Sequence, residues 1–182
     1  MTSKQSSGTH GSATRTTAPL HTPTDLKSNS TSEIAEALNP IVADGFLLYM
    51  KTKNFHWHLS GPHFRDYHLM LDEQAEQIFA SLDPLAERVR KLGQRTLHSL
   101  AHVLRLATLS ENDRDFVGPG EMLDELLEDN KRVAAAMRKA HKLCEDCDDP
   151  ATASLLEIYL DETEKRIWFL FETGRQAERT GH

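Results

Sequence analysis

Apolar residues recur at three- and four-residue spacings through four long stretches of the chain, the period of a helix with one buried face. Ile34, Leu38, Ile41, Phe46 and Tyr49 mark the first. The segment Ser30-Thr31-Ser32-Glu33 fits a capping box at its start, and the helix is expected to reach about Leu59, with a kink possible at Pro40. Gly61-Pro62 ends it. A second helix, from about Arg65 to Leu92, shows Leu69, Ile78, Leu82, Leu85 and Val89 before a stop at Gly93. Leu97 to Ala107 is too short for a bundle member and reads as a small helix within a long connection. A third long helix follows Gly118-Pro119-Gly120, carries Met122, Leu126, Val133 and Met137, and ends near Cys144. Asp149-Pro150 supplies a cap and a first-turn proline for a fourth, which holds Leu155, Leu156, Ile158, Leu160, Ile167, Trp168 and Phe171. No stretch alternates with the two-residue period of a strand, and no internal repeat appears. The expected class is all-α: four long helices, with a short extra helix in the long crossover between the second and third.

Residues 1–31 differ from the rest. They contain 18 Ser, Thr, Gly or Pro, bury too little to offset the entropy of ordering, and read as a flexible tail ahead of a single domain over 32–182. At 182 residues, 38% hydrophobic and 27% charged, the chain can build one real core. Its apolar runs are too short to span a membrane, and its amino terminus shows no apolar signal segment, so a cytoplasmic location is expected. The net charge of −7 is unevenly spread: Lys4, Arg15 and Lys27 against Asp25 give the tail +2, leaving −9 on the body. An acidic body attracts cations and repels nucleic acid.

The candidate chemistry lies in the first two helices. His68 and Asp72 are four residues apart and share a helix face, as do Asp83 and Glu87. From Asp72 to Asp83 the helix returns to nearly the same face but advances about 16 Å along its axis. One copy therefore offers two half-sites that cannot close on one metal. An antiparallel second copy can lay its Asp83/Glu87 end against the His56/His68/Asp72 end of the first. Nitrogen and carboxylate ligands without thiolate suit iron(II). No histidine follows a glutamate by three residues, which sets aside the Glu-x-x-His di-iron site inside a single bundle.

The run from Lys53 through Asn54-Phe55-His56-Trp57-His58-Leu59-Ser60-Gly61-Pro62-His63 to Phe64, then His68, Asp72-Glu73 and Leu82-Asp83-Pro84-Leu85-Ala86-Glu87-Arg88, resembles the signature of the Dps family, ferritin-like DNA-binding proteins from starved cells. Five ligand-type residues fall in order at separations of 12, 4, 11 and 4. The resemblance extends from about Ile34 to Gln176 and departs at Gly93-Gln94-Arg95-Thr96, where the family shows Gly-Gly and a following proline. It implies a ferritin-like four-helix bundle and a hollow shell of twelve subunits. Such a shell oxidises iron(II), preferably with hydrogen peroxide rather than dioxygen, and stores iron(III) oxide, which protects DNA from oxidative damage. By resemblance, His56 would hold one iron with Asp83 and Glu87 of a partner, while His68 and Asp72 hold the second and Glu87 bridges. Trp57 would stand near the site to take up stray oxidising equivalents, with core or interface packing as the plainer reading.

Glu145, Asp146, Asp148 and Asp149 lie between the third and fourth helices, where the family's threefold iron-entry pore runs; a helix-capping cluster is the alternative. Lys4, Arg15 and Lys27 are candidates for weak non-specific DNA binding, multiplied over many subunits. A nucleoid-structuring DNA-binding protein with secondary iron chemistry is the second reading, and a di-iron oxidase of organic substrates the third. Cys144 and Cys147 form a CxxC with no second pair, His98 and His102 are a possible ligand pair, and His58, two residues from His56, should face elsewhere.

Overall fold

The computed structural model describes residues 20–175. They form α1 (Ser28–His58), α2 (Phe64–Lys91), α3 (Leu100–Leu106), α4 (Pro119–Asp146) and α5 (Pro150–Gly174), with no strand among the described residues. Helices α1 and α2 make one hairpin and α4 and α5 another. The hairpins lie side by side, α1 on α4 and α2 on α5. Contacts set the directions. Lys51, late in α1, reaches Glu125 and Asp129, early in α4, whereas Arg88 at the end of α2 reaches Asp149 and Thr152 at the start of α5. Each pair across the hairpins is therefore antiparallel, and residues 92–118 must climb the length of the bundle.

That crossover is fastened to α1 at three heights. The Asn39 amide donates to the Arg95 carbonyl at 3.0 Å, and the Asn54 amide donates to the Asn112 carbonyl at 3.0 Å. Between them Asp44, only 2% exposed, accepts from the Thr108 backbone N–H at 2.6 Å, the Thr108 hydroxyl at 2.7 Å and the Leu109 N–H at 3.0 Å. One carboxylate thus satisfies three donors and seats the segment after α3 against α1.

Ile34, Leu38, Ile41, Leu71, Ile78, Leu82, Leu85 and Val89 line the core as their spacing predicts, joined by Leu126, Met137, Leu156 and Leu170 from the second hairpin. Gly45 permits the close approach of α1 and α2, since a Cβ there would lie 2.5 Å from Leu82 Cδ2. Helix α2 ends in a Schellman motif. Gly93, with φ 75°, donates to the Arg90 carbonyl, and Gln94 donates to that of Val89. Helix α4 ends the same way, but its left-handed residue is Asp148, with φ 58°.

Three expectations are corrected. Helix α1 starts at Ser28, before the proposed capping box; the Thr31 hydroxyl turns back to the Ser28 carbonyl instead of capping. The boundary at residue 31 therefore falls inside α1. Leu20 to Leu26 are also held: Arg90 donates to the Leu20 carbonyl at 2.9 Å, the Thr22 hydroxyl donates to the Arg90 carbonyl at 3.0 Å, and Leu26 packs on the core. On α5, Ile158, Trp168 and Phe171, counted among the apolar positions of a bundle helix, are exposed.

Asp44→Ala leaves the buried Leu109 N–H, the Thr108 N–H and the Thr108 hydroxyl without their acceptor, and should cost about 2 kcal/mol by urea unfolding. Hydrogen exchange at the Thr108 and Leu109 amides should quicken in that variant. Unaltered exchange there would show that other contacts seat the crossover.

Candidate metal centre

The loop between α1 and α2 folds the two histidines onto each other. The His56 and His68 rings stack with centroids 3.7 Å apart and planes 19° from parallel. Each ring is held by the other's backbone: His56 Nδ1 lies 2.8 Å from the His68 carbonyl oxygen, and His68 Nδ1 lies 3.0 Å from that of His56. A carbonyl only accepts, so both Nδ1 atoms carry the proton and both Nε2 atoms keep a free lone pair. This is the outer hydrogen bond that prepares histidine for a metal. Phe64 covers the far face of His68 at 5.0 Å.

Asp72 completes this half. Its Oδ1 lies 3.8 Å from His56 Nε2 and 2.6 Å from Lys53 Nζ. The hydrogen bond from Lys53 outweighs partial desolvation and holds the Asp72 carboxyl below the usual carboxylate range. The Lys53 ammonium thus supplies positive charge beside the same oxygen that faces His56. Sequence reading missed Lys53, because its link to Asp72 joins two helices and leaves no periodic signal.

Asp83 and Glu87 are exposed three turns further along α2, Glu87 pairing with Lys91 at 3.2 Å. Among the described residues no cluster of three or more His, Cys, Asp or Glu side chains is arranged to hold a metal. Within one chain His56 stacks on His68 and faces Asp72 without the three closing as a metal cluster, and Asp83 and Glu87 stand apart from them. Trp57 is 57% exposed, with Lys53 Nζ 6.0 Å from its ring centre, which excludes the core-packing reading within one chain. His58 bonds back to the Asn54 carbonyl and takes no part. The His98 and His102 Nδ1 atoms lie 3.0 Å apart, two ligand atoms without a third.

The acidic junction divides. Glu145, Asp146 and Asp148 are exposed, but Asp149 is buried, accepting from Arg88 Nη2 at 2.7 Å and from the Thr152 N–H at 3.0 Å. It caps α5 and ties it to α2, so it is withdrawn from any pore lining. Arg88 is thereby spent, Arg90 holds the Gln94 and Leu20 carbonyls, and Lys91 faces Glu87, so these cations form no free basic surface. Lys27 is exposed; Lys4 and Arg15 lie outside the described residues. Cys144 and Cys147 are free thiols, and burial pushes that of Cys144 up to about 12, which leaves it inert as a nucleophile.

Bundle, crossover helix and histidine–carboxylate half-site define a ferritin-like protein, and residues 35–180 match the family model of the ferritin-like domain. The chain is 35% identical over 149 residues to the DNA protection during starvation protein of Agrobacterium fabrum, covering 82% of this chain and 92% of that one. It is 32% identical over 145 residues to DNA protection during starvation protein 1 of Deinococcus radiodurans, covering 80% and 70%. The solved Dps structure from Vibrio cholerae, described as a member of a broad superfamily of ferritin-like diiron-carboxylate proteins, matches with a TM-score of 0.78 at 27% identity over 82% of this chain and 94% of its own. The chain belongs to the Dps family.

Burial opposes the charge on Asp149, yet the hydrogen bonds from Arg88 and Thr152 outweigh it and hold the carboxyl below its ordinary value of 3.8. A depressed folded pKa gives stability that is present above the unfolded value and lost as pH falls through the folded one. Unfolding free energy should therefore fall between about pH 5 and about pH 2, and Asp149→Asn should flatten that limb while lowering stability at neutral pH. An unchanged acid limb would locate the titrating groups elsewhere.

Proposed function

We propose that this protein oxidises iron(II) at sites shared between two antiparallel copies and stores the product as iron(III) mineral inside a closed homo-oligomer, by family resemblance a dodecamer, in the cytoplasm. The carrying observation is the half-site. The stacked His56 and His68 rings have their Nδ1 atoms on each other's carbonyls and His56 Nε2 3.8 Å from Asp72, whereas Asp83 and Glu87 stand exposed further along α2 and do not join them within one chain. A two-fold related copy supplies the missing carboxylates. Exposed Met50, Trp57, Phe79, Leu100, Ile158 and Trp168 are the apolar surface that such an assembly would cover.

Iron is the substrate in this reading. His56 binds one iron(II) with Asp83 and Glu87 of a second copy, His68 and Asp72 bind the other, and Glu87 bridges. Two iron(II) ions each give one electron to a hydrogen peroxide, whose O–O bond breaks and, with two protons, yields two waters and no hydroxyl radical. That chemistry accounts for the protection of DNA named in the relatives. Trp57, beside His56, would absorb an oxidising equivalent that escapes. Glu145, Asp146 and Asp148, exposed at the α4–α5 junction, would concentrate iron(II) at a threefold opening.

Asp83→Asn with Glu87→Gln in one protein, and His56→Gln, His68→Gln with Asp72→Asn in another, should each abolish fast iron oxidation, while co-refolded mixtures regain part of it. Mixtures that remain inactive, with mixed dimers verified by mass spectrometry, would exclude the shared site.

Glu145→Gln, Asp146→Asn and Asp148→Gly together should slow iron uptake by intact shells, by a factor that shrinks as salt is raised. Glycine suits the positive φ at 148, so the shells should form. Uptake equal to wild type would return the cluster to helix termination.

Sequence-independent DNA binding through Lys4, Arg15 and Lys27 belongs to the same proposal as a weak, salt-sensitive activity. Deleting residues 1–19 spares the ordered contacts of Leu20 and Thr22 and should remove most DNA retention at low salt without altering iron oxidation. Retention equal to the full chain would point to another surface.

A further inference from the structure

Between α2 and α5 lies a groove of about 350 Å³, lined by none of the five proposed iron ligands, whose walls include two buried polar side chains of unusual standing. Arg166 is 4% exposed. Its Nε donates to Asn130 Oδ1 at 3.0 Å and its Nη2 to the Thr163 hydroxyl at 2.7 Å, both neutral acceptors. Among the described residues it forms no ion pair with a carboxylate; Glu162, four residues back on the same helix, lends charge without pairing. Burial pulls the guanidinium down to about 10, the mark of a cation whose surroundings do not neutralise it. Gln74, also 4% exposed, lines the same groove, and its Nε2 is buried without a hydrogen-bond partner.

A buried unpaired charge and an orphaned amide donor each cost stability of order kcal/mol. Both residues line one groove, so they share a remedy: an acceptor-only group of negative charge. Lys165 adds a third donor at the rim, beside Asp66 and Glu73. Those two acids offset the rim's charge but are exposed, so water screens them, whereas Arg166 and Gln74 are beyond that screening. The buried Arg166 and Gln74 therefore supply the selectivity for an anion.

We infer that the groove between α2 and α5 is a binding site for a small free oxyanion, of the phosphate or carboxylate kind, held by Arg166 and Gln74 and closed at its rim by Lys165. The site is independent of the five proposed iron ligands, none of which lines it.

The test uses the full-length oligomer stripped of iron, so that no mineral binds the anion in its place. Inorganic phosphate and acetate are titrated by calorimetry at constant ionic strength, with chloride as the balancing ion. Wild type should bind one of them with a Kd of about 1 mM, and Gln74→Leu, which removes the donor and keeps the bulk, should weaken that at least tenfold. Gln74→Glu places a carboxylate in the groove from within, and should both raise the melting temperature and abolish anion binding. This variant keeps the test open should Arg166→Gln fail to fold. Equal binding by wild type and both Gln74 variants would mean an adventitious ion only and overturn the proposal. So would the absence of binding in wild type with Gln74→Glu no more stable, the result expected if an ordered water bridges the two groups. A carboxylate from a second copy would be shown by subunit dissociation in Gln74→Leu without any effect of added phosphate or acetate, and would overturn the free-anion assignment.

Discussion

The two hairpins of this bundle are joined only by a segment that must travel its whole length, and Asp44 is the group that fixes where that segment lies. Closing a long connection costs entropy that grows slowly with its length, so the cost is modest and the danger is instead multiplicity of path. Three hydrogen bonds onto one buried carboxylate remove that freedom at mid-height, while Asn39 and Asn54 hold the ends. With the path set, α4 descends beside α1, and Lys51 can meet Glu125 and Asp129 at 2.7 and 2.6 Å. Burial pushes the Asp129 carboxyl up, against the pull of the Lys51 ammonium. Such a pair adds little net stability over apolar packing, but it penalises any slip in register that would strand one of its charges.

The same economy appears at the metal half-site. Two residues twelve apart in sequence use each other's backbone carbonyls to set both imidazole tautomers, so no additional side chain is needed to orient either ring. The α1–α2 turn is thus a structural part of the proposed iron chemistry: a change of loop length that shifted α2 by one residue would release both rings. Lys53 complements this arrangement. Its ammonium lies 2.6 Å from Asp72 Oδ1 and balances that carboxylate. In the proposed reading, iron competes with Lys53 for Asp72.

The helix termini show how capping and function divide the acidic junction. A Schellman turn with aspartate at its left-handed position holds Asp148 outward, while its neighbour Asp149 turns inward to cap α5 and bind Arg88. Adjacent acids of identical type thereby differ in availability to a cation. The charge run that looks uniform in the chain is, in space, three exposed carboxylates and one structural one.

Helical period, turn residues and caps determined the five helices, their order and most of the core by themselves, since Ile34, Leu38, Leu82 and Leu126 need only a face to be buried. Ligand spacing likewise separated His68/Asp72 from Asp83/Glu87, because eleven residues of helix impose a distance regardless of packing. The sequence could not reveal which polar residues are interior. Asp44, Lys51, Gln74, Asn130 and Arg166 interrupt apolar stripes as solvent-facing residues do, and their burial depends on partners 36 to 78 positions away for those that have one. Nor did composition show that Leu20 to Thr31 are ordered, for their contacts with Arg90, Gln94 and the core join groups distant in sequence. The physical reason is common to both cases. Periodicity reports a local repeat, whereas the pairing of a buried charge, and the docking of a polar segment, are decided by distant groups that only the tertiary fold brings within hydrogen-bond reach.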